Sequence, residues 1–153
     1  MKFYDTIEKY NGKKINIYVD MDGVIAEYDI GNFDYNTIRP LKTNIKRIEE
    51  LIKKDNISVK IFTVCKSDDI VNQKIEWINK YMPFYNIKDV IFLSKEKEEY
   101  KGISSCELKS NFLKKNTNIN EINILVDDDN SIIKYIRKNN QNIIIFQVSS
   151  WID

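Results

Sequence analysis

Short, mostly apolar runs recur along the chain, and five of them have the length and composition of β-strands. They are Ile15–Val19, Val59–Val64, Val90–Leu93, Ile122–Val126 and Ile143–Val148. Most of these runs are continuously apolar rather than alternating, which is typical of strands that are covered on both faces of a sheet.

The segments between these runs carry apolar residues every three or four positions, a spacing that predicts amphipathic helices. The apolar stripes are Ile45/Ile48/Leu51/Ile52, Val71/Ile75/Ile78/Met82 and Ile132/Ile133/Ile136, with a weaker helical segment at Leu108–Lys115. Pro83 is placed to end the second helix, and Asp129 or Asn130 to cap the last. Alternating strands and helices predict one α/β domain over residues 1–153, a three-layer Rossmann-like sandwich with a mostly parallel five-stranded sheet.

The composition narrows the chemistry available to this fold. Lys and Arg together number 24 and Asp and Glu 23, so a net charge of +1 gives no general attraction to nucleic acid or to anionic membranes. The absence of histidine excludes Ser-His-Asp and Cys-His catalysis. Two cysteines, Cys65 and Cys106, are too few for a disulfide scaffold or a zinc site.

The N-terminal segment is charged every few residues and has no signal-peptide core, and no apolar run is long enough to span a bilayer. We therefore expect a cytoplasmic protein with reduced cysteines and no membrane partner.

Acidic residues follow two of the predicted strands. Asp20 and Asp22 come after the first strand, Asp127 and Asp128 after the fourth, and Thr63 ends the second. Because ligands of open α/β sheets collect at the carboxyl ends of the strands, these side chains are expected to converge. Carboxylates without imidazole or thiolate make an oxygen site that suits Mg²⁺, which takes one or two carboxylates together with phosphate oxygens.

Phosphoryl transfer needs few further groups. Asp20 can serve as a carboxylate nucleophile and form an aspartyl-phosphate, while Asp22 can protonate the leaving oxygen and then activate water. Thr63 offers a hydroxyl group, and Lys109 a cation, to the phosphoryl oxygens. Lys95, just after the third strand, competes with Lys109 for that role.

Three segments, in order, resemble motifs of the haloacid dehalogenase (HAD) superfamily of phosphohydrolases. YVDMDGVIAEYD, residues 18–29, resembles its first motif and is most similar to that of the 5'(3')-deoxyribonucleotidase-like branch. IFTV, with Thr63, resembles the second motif, and ILVDDD, residues 124–129, the fourth.

The resemblance implies roles for the acidic residues. Asp20 would be the nucleophile and Asp22 the general acid and base, with its backbone carbonyl also on Mg²⁺. Of the acidic residues after the fourth strand, Asp127 is the first choice as a metal ligand and Asp128 is the second. Lys109, in a helical stretch before the last motif, would be the phosphate-binding lysine, and Lys95 remains the alternative.

The deoxyribonucleotidase-like enzymes carry a helical cap between their first two motifs, and this chain has no room for one. A turn, one helix and one strand leave only residues 30–41, enough for a loop or hairpin. The resemblance therefore implies a member with a minimal cap and an open site. Nucleotides are the first substrate candidates, followed by sugar phosphates and by the phosphorylated ends of polynucleotides.

Two other kinds of protein share part of this pattern. A catalytically silent HAD-fold module that binds phosphate or a partner protein stays open, although every expected catalytic position is filled. A response-regulator receiver domain has a different motif order. Its acidic pair comes before its phosphoacceptor, whereas here the Asp20/Asp22 turn comes first and the acidic pair last.

Tyr28, Phe33 and Tyr35 suit either stacking on a base or packing within the loop. The sequence says nothing of the oligomeric state.

Overall fold

Five parallel strands form one sheet in the order β3-β2-β1-β4-β5. The structure is a computed structural model and describes residues 2–152. The strands are β1 (Ile15–Val19), β2 (Ile57–Cys65), β3 (Ile91–Ser94), β4 (Ile122–Asp127) and β5 (Ile143–Gln147). All five predicted strands are present, and β2 continues two residues beyond Thr63, which was expected to end it.

Helices cover both faces of this sheet. They are α1 (Phe3–Lys9), α2 (Lys42–Leu51), α3 (Asp68–Tyr81), α4 (Ser105–Asn116) and α5 (Asn130–Asn139), with short 3-10 helices at Ile87–Asp89, Glu98–Tyr100 and Val148–Ile152. Helices α1, α2 and α3 contribute to the core on one face, and α4 and α5 to the core on the other. The predicted three-layer α/β sandwich is therefore confirmed. No described helix is long and apolar enough to cross a membrane.

Strand β1 lies at the centre of the sheet and is buried along its whole length. Its last residue, Val19, is in register with Ile61 of β2 and Val126 of β4. The backbone N–H of Asp20 then donates to the carbonyl of Val126 at 2.9 Å, which extends the pairing with β4 by one residue. The parallel arrangement thus brings the ends of β1, β2 and β4 to one edge, as the sequence predicted.

The helix around Lys109 is longer than predicted, and one helix was not predicted at all. Helix α4 begins at Ser105, where the side chain of Ser104 accepts from the N–H of Glu107 as an N-cap, so Lys109 lies in its second turn. Helix α1 lies in the charged N-terminal segment, where two apolar residues four positions apart, Phe3 and Ile7, are buried against the sheet.

The buried face of α3 differs from its predicted apolar stripe. Lys74, Trp77 and Ile78 are its buried residues, whereas Val71 and Ile75 are only half-buried. A lysine was not expected in the core, because burial of its charge is costly unless the ammonium group is paired. The ammonium of Lys74 is paired with two of the predicted site residues, Asp22 and Thr63.

Between β1 and α2, residues 20–41 form turns with two isolated bridges, Asp22 with Ala26 and Ala26 with Pro40. Backbone hydrogen bonds from Glu27 to Arg39 and from Leu41 to Ile25, both 2.8 Å, close this segment into a loop. The expectation that no large cap domain fits here is confirmed.

Candidate functional site

Asp20, Asp127 and Asp128 come together at the carboxyl edge of the sheet, and two of them pair with one ammonium group. We call these residues with Lys109 the acidic cluster. One oxygen from each of the three carboxylates lies within 4.8 Å of the others. Lys109 is fully buried, and its Nζ donates to Asp20 Oδ1 at 2.9 Å and to Asp127 Oδ2 at 2.7 Å.

Three carboxylates around one ammonium leave the acidic cluster short of positive charge. Burial raises the pKa of Asp20 to about 8, the charges of Asp127 and Asp22 add to the rise, and Lys109 opposes it. Burial, together with the charge of Asp127, also raises the pKa of Asp128. Although burial alone would lower it, the Asp20 and Asp127 carboxylates raise the pKa of Lys109 above its ordinary range.

These residues fit a hard divalent cation. All three donors are carboxylate oxygens, the ligands that Mg²⁺ prefers, and a second cation would supply the missing positive charge. Asp129 is committed elsewhere, because its Oδ1 accepts from the backbone N–H of Ser131 at 2.8 Å and caps α5. The cap predicted at Asp129 or Asn130 is thus formed by Asp129.

Gly23 allows the first turn to pass beside Asp128. Its φ of +82° lies in the left-handed region that residues with a side chain rarely adopt. A Cβ atom at this position would also overlap the Oδ2 atom of Asp128. Both conformation and close approach therefore require glycine at this place in the site.

A second set of residues surrounds the carboxyl group of Asp22. Tyr35 donates its hydroxyl to Asp22 Oδ1 at 2.6 Å, and Lys74 donates from Nζ to Asp22 Oδ2 at 3.0 Å. Lys74 also donates to the hydroxyl oxygen of Thr63 at 2.6 Å. Asp22, Tyr35, Thr63 and Lys74 are called the Asp22 group below. Burial and the neighbouring Asp22 charge raise the pKa of the Tyr35 hydroxyl, so this group stays a hydrogen-bond donor.

The sequence pattern does not single out Lys74, and for Tyr35 it suggests only stacking or packing. The available signal for Lys74 was its spacing from Trp77 and Ile78, three and four residues on, which places it on their face of α3. That signal is weak, because a lysine on a helix usually extends into solvent.

The structure places Lys109, and not Lys95, beside Asp20. Over residues 2–152, the lysines that form ion pairs with the predicted site aspartates are Lys74 and Lys109. Lys95 lies directly after β3, where its backbone N–H donates to the carbonyl of Cys65.

A cavity of about 360 Å³ opens between the two sets of charged residues. The residues that line it include Asp20, Asp22, Thr63, Lys109, Asp128 and Tyr28. The aromatic residues of the loop have separate places, because Tyr28 lies at this cavity with 64% of its surface exposed whereas Tyr35 is buried. Phe33 is half-exposed, and the ammonium of Lys66 lies 3.9 Å from the centre of its ring.

The overall fold is similar to that of solved structures. One chain of the Pnkp1/Rnl/Hen1 RNA repair complex has a TM-score of 0.66 and 13% identity over 90% of this chain and 43% of its own. A chain of a second Pnkp1/Rnl/Hen1 structure has a TM-score of 0.67 at 13% identity, with coverages of 90% and 46%.

A third similar structure is the N-terminal part of the protein BF1531 from Bacteroides fragilis, which contains a phosphatase domain in complex with Mg. Its TM-score is 0.61 at 12% identity, over 92% of this chain and 38% of the other. The chain thus spans less than half the length of each of these proteins. At these identities the likeness defines the fold class, an α/β Rossmann-like sandwich. No protein-family model and no curated protein matches the sequence.

Proposed function

We propose that this chain is a Mg²⁺-dependent phosphomonoester hydrolase of the HAD type that acts through a phosphorylated Asp20. The observation that carries this proposal is the acidic cluster, whose three carboxylates come together on the carboxyl edge of a parallel sheet, beside a cavity, with two of them paired to Lys109. The similar fold of a Mg-complexed phosphatase domain supports it, as do the three sequence motifs.

In the proposed reaction, a carboxylate oxygen of Asp20 attacks the phosphorus atom as the bond from phosphorus to the ester oxygen breaks. Asp22 gives its proton to the departing oxygen, so the alcohol leaves neutral. Asp22 then takes a proton from a water molecule that attacks the phosphorus of the aspartyl-phosphate, which releases inorganic phosphate and restores Asp20. Thr63 and Lys109 donate hydrogen bonds to the phosphoryl oxygens.

Asp20, Asp127, Asp128 and the backbone carbonyl of Asp22 are the groups that would hold Mg²⁺. When bound, the ion neutralises the carboxylates and offsets the negative charge of the phosphate. Without it, three carboxylates would face an anionic substrate with one ammonium group among them.

Nucleotides are the proposed substrates, with sugar phosphates and polynucleotide ends as alternatives. The exposed ring of Tyr28 at the cavity supports an aromatic leaving group, because a base can stack on its face. Pnkp1 of the similar structures belongs to an RNA repair complex, which supports including 3'- and 5'-phosphorylated oligonucleotides in the test. In a panel of these esters, Tyr28→Ala should weaken the hydrolysis of nucleotides and leave that of sugar phosphates unchanged.

The proposal is tested with the purified chain, Mg²⁺ and p-nitrophenyl phosphate. We expect hydrolysis that EDTA abolishes and that Asp20→Asn lowers about 10³-fold or more, because the nucleophile is lost. Asp129→Asn is the matched control, since asparagine caps a helix as well as aspartate and should leave activity intact. Full activity in Asp20→Asn would refute the assignment of Asp20 as the nucleophile. Phosphate binding without turnover on the whole panel would favour a silent binding module instead.

A further inference from the structure

We propose that Tyr35 and Lys74 are positioning residues that orient the carboxyl group of Asp22 towards the leaving oxygen. This inference rests on the proposed function, in which Asp22 moves the proton. Asp22 Oδ1 accepts from the Tyr35 hydroxyl at 2.6 Å, and Asp22 Oδ2 accepts from Lys74 at 3.0 Å. Because each oxygen has its own donor, rotation of the carboxyl group would break both hydrogen bonds.

This fixed carboxyl group remains open to substrate. The side chain of Asp22 keeps 30% of its surface exposed and lines the cavity, whereas Lys74 is almost fully buried. Each carboxylate oxygen can accept more than one hydrogen bond, so the contacts with Tyr35 and Lys74 leave room for the transferred proton. The arrangement sets the direction of proton transfer without blocking it.

Lys74 is itself held in place by three acceptors. Its Nζ donates to Asp22, to the Thr63 hydroxyl oxygen at 2.6 Å and to the backbone carbonyl of Val64 at 3.3 Å. An ammonium group has three N–H donors, and here each has an acceptor. Thr63 lines the cavity, and because its oxygen accepts from Lys74, its hydroxyl keeps a proton that it can donate. One buried lysine therefore orients two groups of the proposed site.

The position of Tyr35 depends on α3, which holds the loop at residues 30–41 at two further points. The side-chain oxygen of Gln73 accepts from the backbone N–H of Tyr35 at 3.2 Å, and the indole N–H of Trp77 donates to the carbonyl of Ile38 at 2.9 Å. Lys74 lies between these two residues on the same helix. The inferred role of this loop is therefore to carry Tyr35 to Asp22.

The test compares two phosphate esters that differ in their need for a proton. A primary alkyl phosphate, such as glycerol 3-phosphate, has a poor leaving group that must be protonated, whereas 2,4-dinitrophenolate leaves without a proton. The measured quantity is kcat/KM, because it reports the reaction only through transfer of the phosphoryl group to Asp20 and excludes the later hydrolysis. We expect Tyr35→Phe to lower kcat/KM about 10- to 100-fold for the alkyl ester and less than about threefold for dinitrophenyl phosphate.

A double-mutant cycle with Asp22→Asn shows whether Tyr35 acts through Asp22. If it does, Tyr35→Phe lowers kcat/KM for the alkyl ester in the wild-type background and causes no further loss once Asp22 is replaced. Tyr81→Phe is the matched control, because Tyr81 is the last residue of α3 and its ring packs against Trp77. Thermal unfolding and Mg²⁺ titration calorimetry of each variant check that the fold and the metal affinity are retained.

Equal losses for both esters, no loss for either, or additive losses in the cycle would overturn the positioning role while leaving the phosphatase proposal intact. Lys74→Met is a second variant, which should also lower kcat/KM more for the alkyl ester than for the dinitrophenyl ester. A wild-type protein inert towards both esters would overturn the proposed function, and the positioning role with it.

Discussion

The acidic cluster and the Asp22 group lie side by side at one cavity, and both pair aspartate with a buried lysine. In the acidic cluster the ammonium of Lys109 pairs with Asp20 and Asp127 while the carboxylate of Asp128 lies close by, and the pKa of Asp20 rises to about 8. In the Asp22 group, one oxygen of a single carboxylate pairs with the ammonium of Lys74, and the other accepts a hydrogen bond from the neutral hydroxyl of Tyr35. The first set lacks positive charge, whereas the second is balanced by its own residues.

This difference in charge separates two tasks that the same residue types can perform. A cluster with excess negative charge attracts a metal ion, because the ion relieves repulsion that the protein cannot relieve itself. A balanced carboxyl group held by hydrogen bonds has little need of an ion and has a fixed direction, which suits proton transfer to a substrate.

The largest expected effect comes from removing each lysine in turn, in the presence of EDTA. Lys109→Met leaves buried carboxylates without a cation and should lower the free energy of unfolding by about 3–5 kcal/mol. Lys74→Met should cost less, about 1–3 kcal/mol, because Asp22 is partly exposed and keeps the hydrogen bond from Tyr35. Both values come from chemical denaturation. Equal losses would contradict the difference in charge balance.

The effect of Mg²⁺ on stability comes next in size. Binding to the folded state alone should add about 2.7 kcal/mol at a concentration one hundred times Kd, visible as a higher Tm. Asp128→Asn should remove most of this gain, since Asp128 belongs to the acidic cluster. Asp22→Asn is the control, because its carboxyl group lies outside that cluster and asparagine keeps the backbone carbonyl. If Asp22→Asn lost the stabilisation by Mg²⁺ and Asp128→Asn kept it, the carboxyl group that holds the ion would be that of Asp22 and not that of Asp128.

The smallest expected effect concerns the turn that joins the two sets of residues. Gly23→Ala and Gly12→Ala introduce the same methyl group at nearly the same φ, +82° and +87°, but only the methyl at residue 23 meets Asp128. Backbone strain should cost each variant about 1 kcal/mol in the free energy of unfolding, and Gly23→Ala should cost more because its methyl group overlaps Asp128. Only Gly23→Ala should also weaken Mg²⁺ binding, measured by calorimetry. Weakened binding in Gly12→Ala would mean that backbone strain alone is the cause.

Much of the fold was predictable because its signals are local. Continuous apolar runs identified all five strands, and the rule that parallel strands expose their carboxyl ends at one edge placed Asp20, Thr63 and Asp127 together. Helix α1 was missed because only Phe3 and Ile7 distinguish it within a charged segment.

Spacing alone could not tell which of Lys109 and Lys95 lies beside Asp20, since both follow β3 before the last motif. That placement depends on α4, which begins at Ser105 and packs with Lys109 facing the sheet. The same limit applies to Tyr35, because its loop has few local signals and is positioned by hydrogen bonds to α3.

The sequence by itself determined the α/β class, the order of the strands along the chain and the aspartates at their ends, because these follow from short-range patterns of apolar and polar residues. Only the tertiary structure decided which charges meet. The rotation of α3 and α4 against the sheet buries Lys74 and Lys109, and each lysine tolerates burial because carboxylates from distant segments reach its ammonium group. Partners so far apart along the chain leave no periodic signal in the sequence.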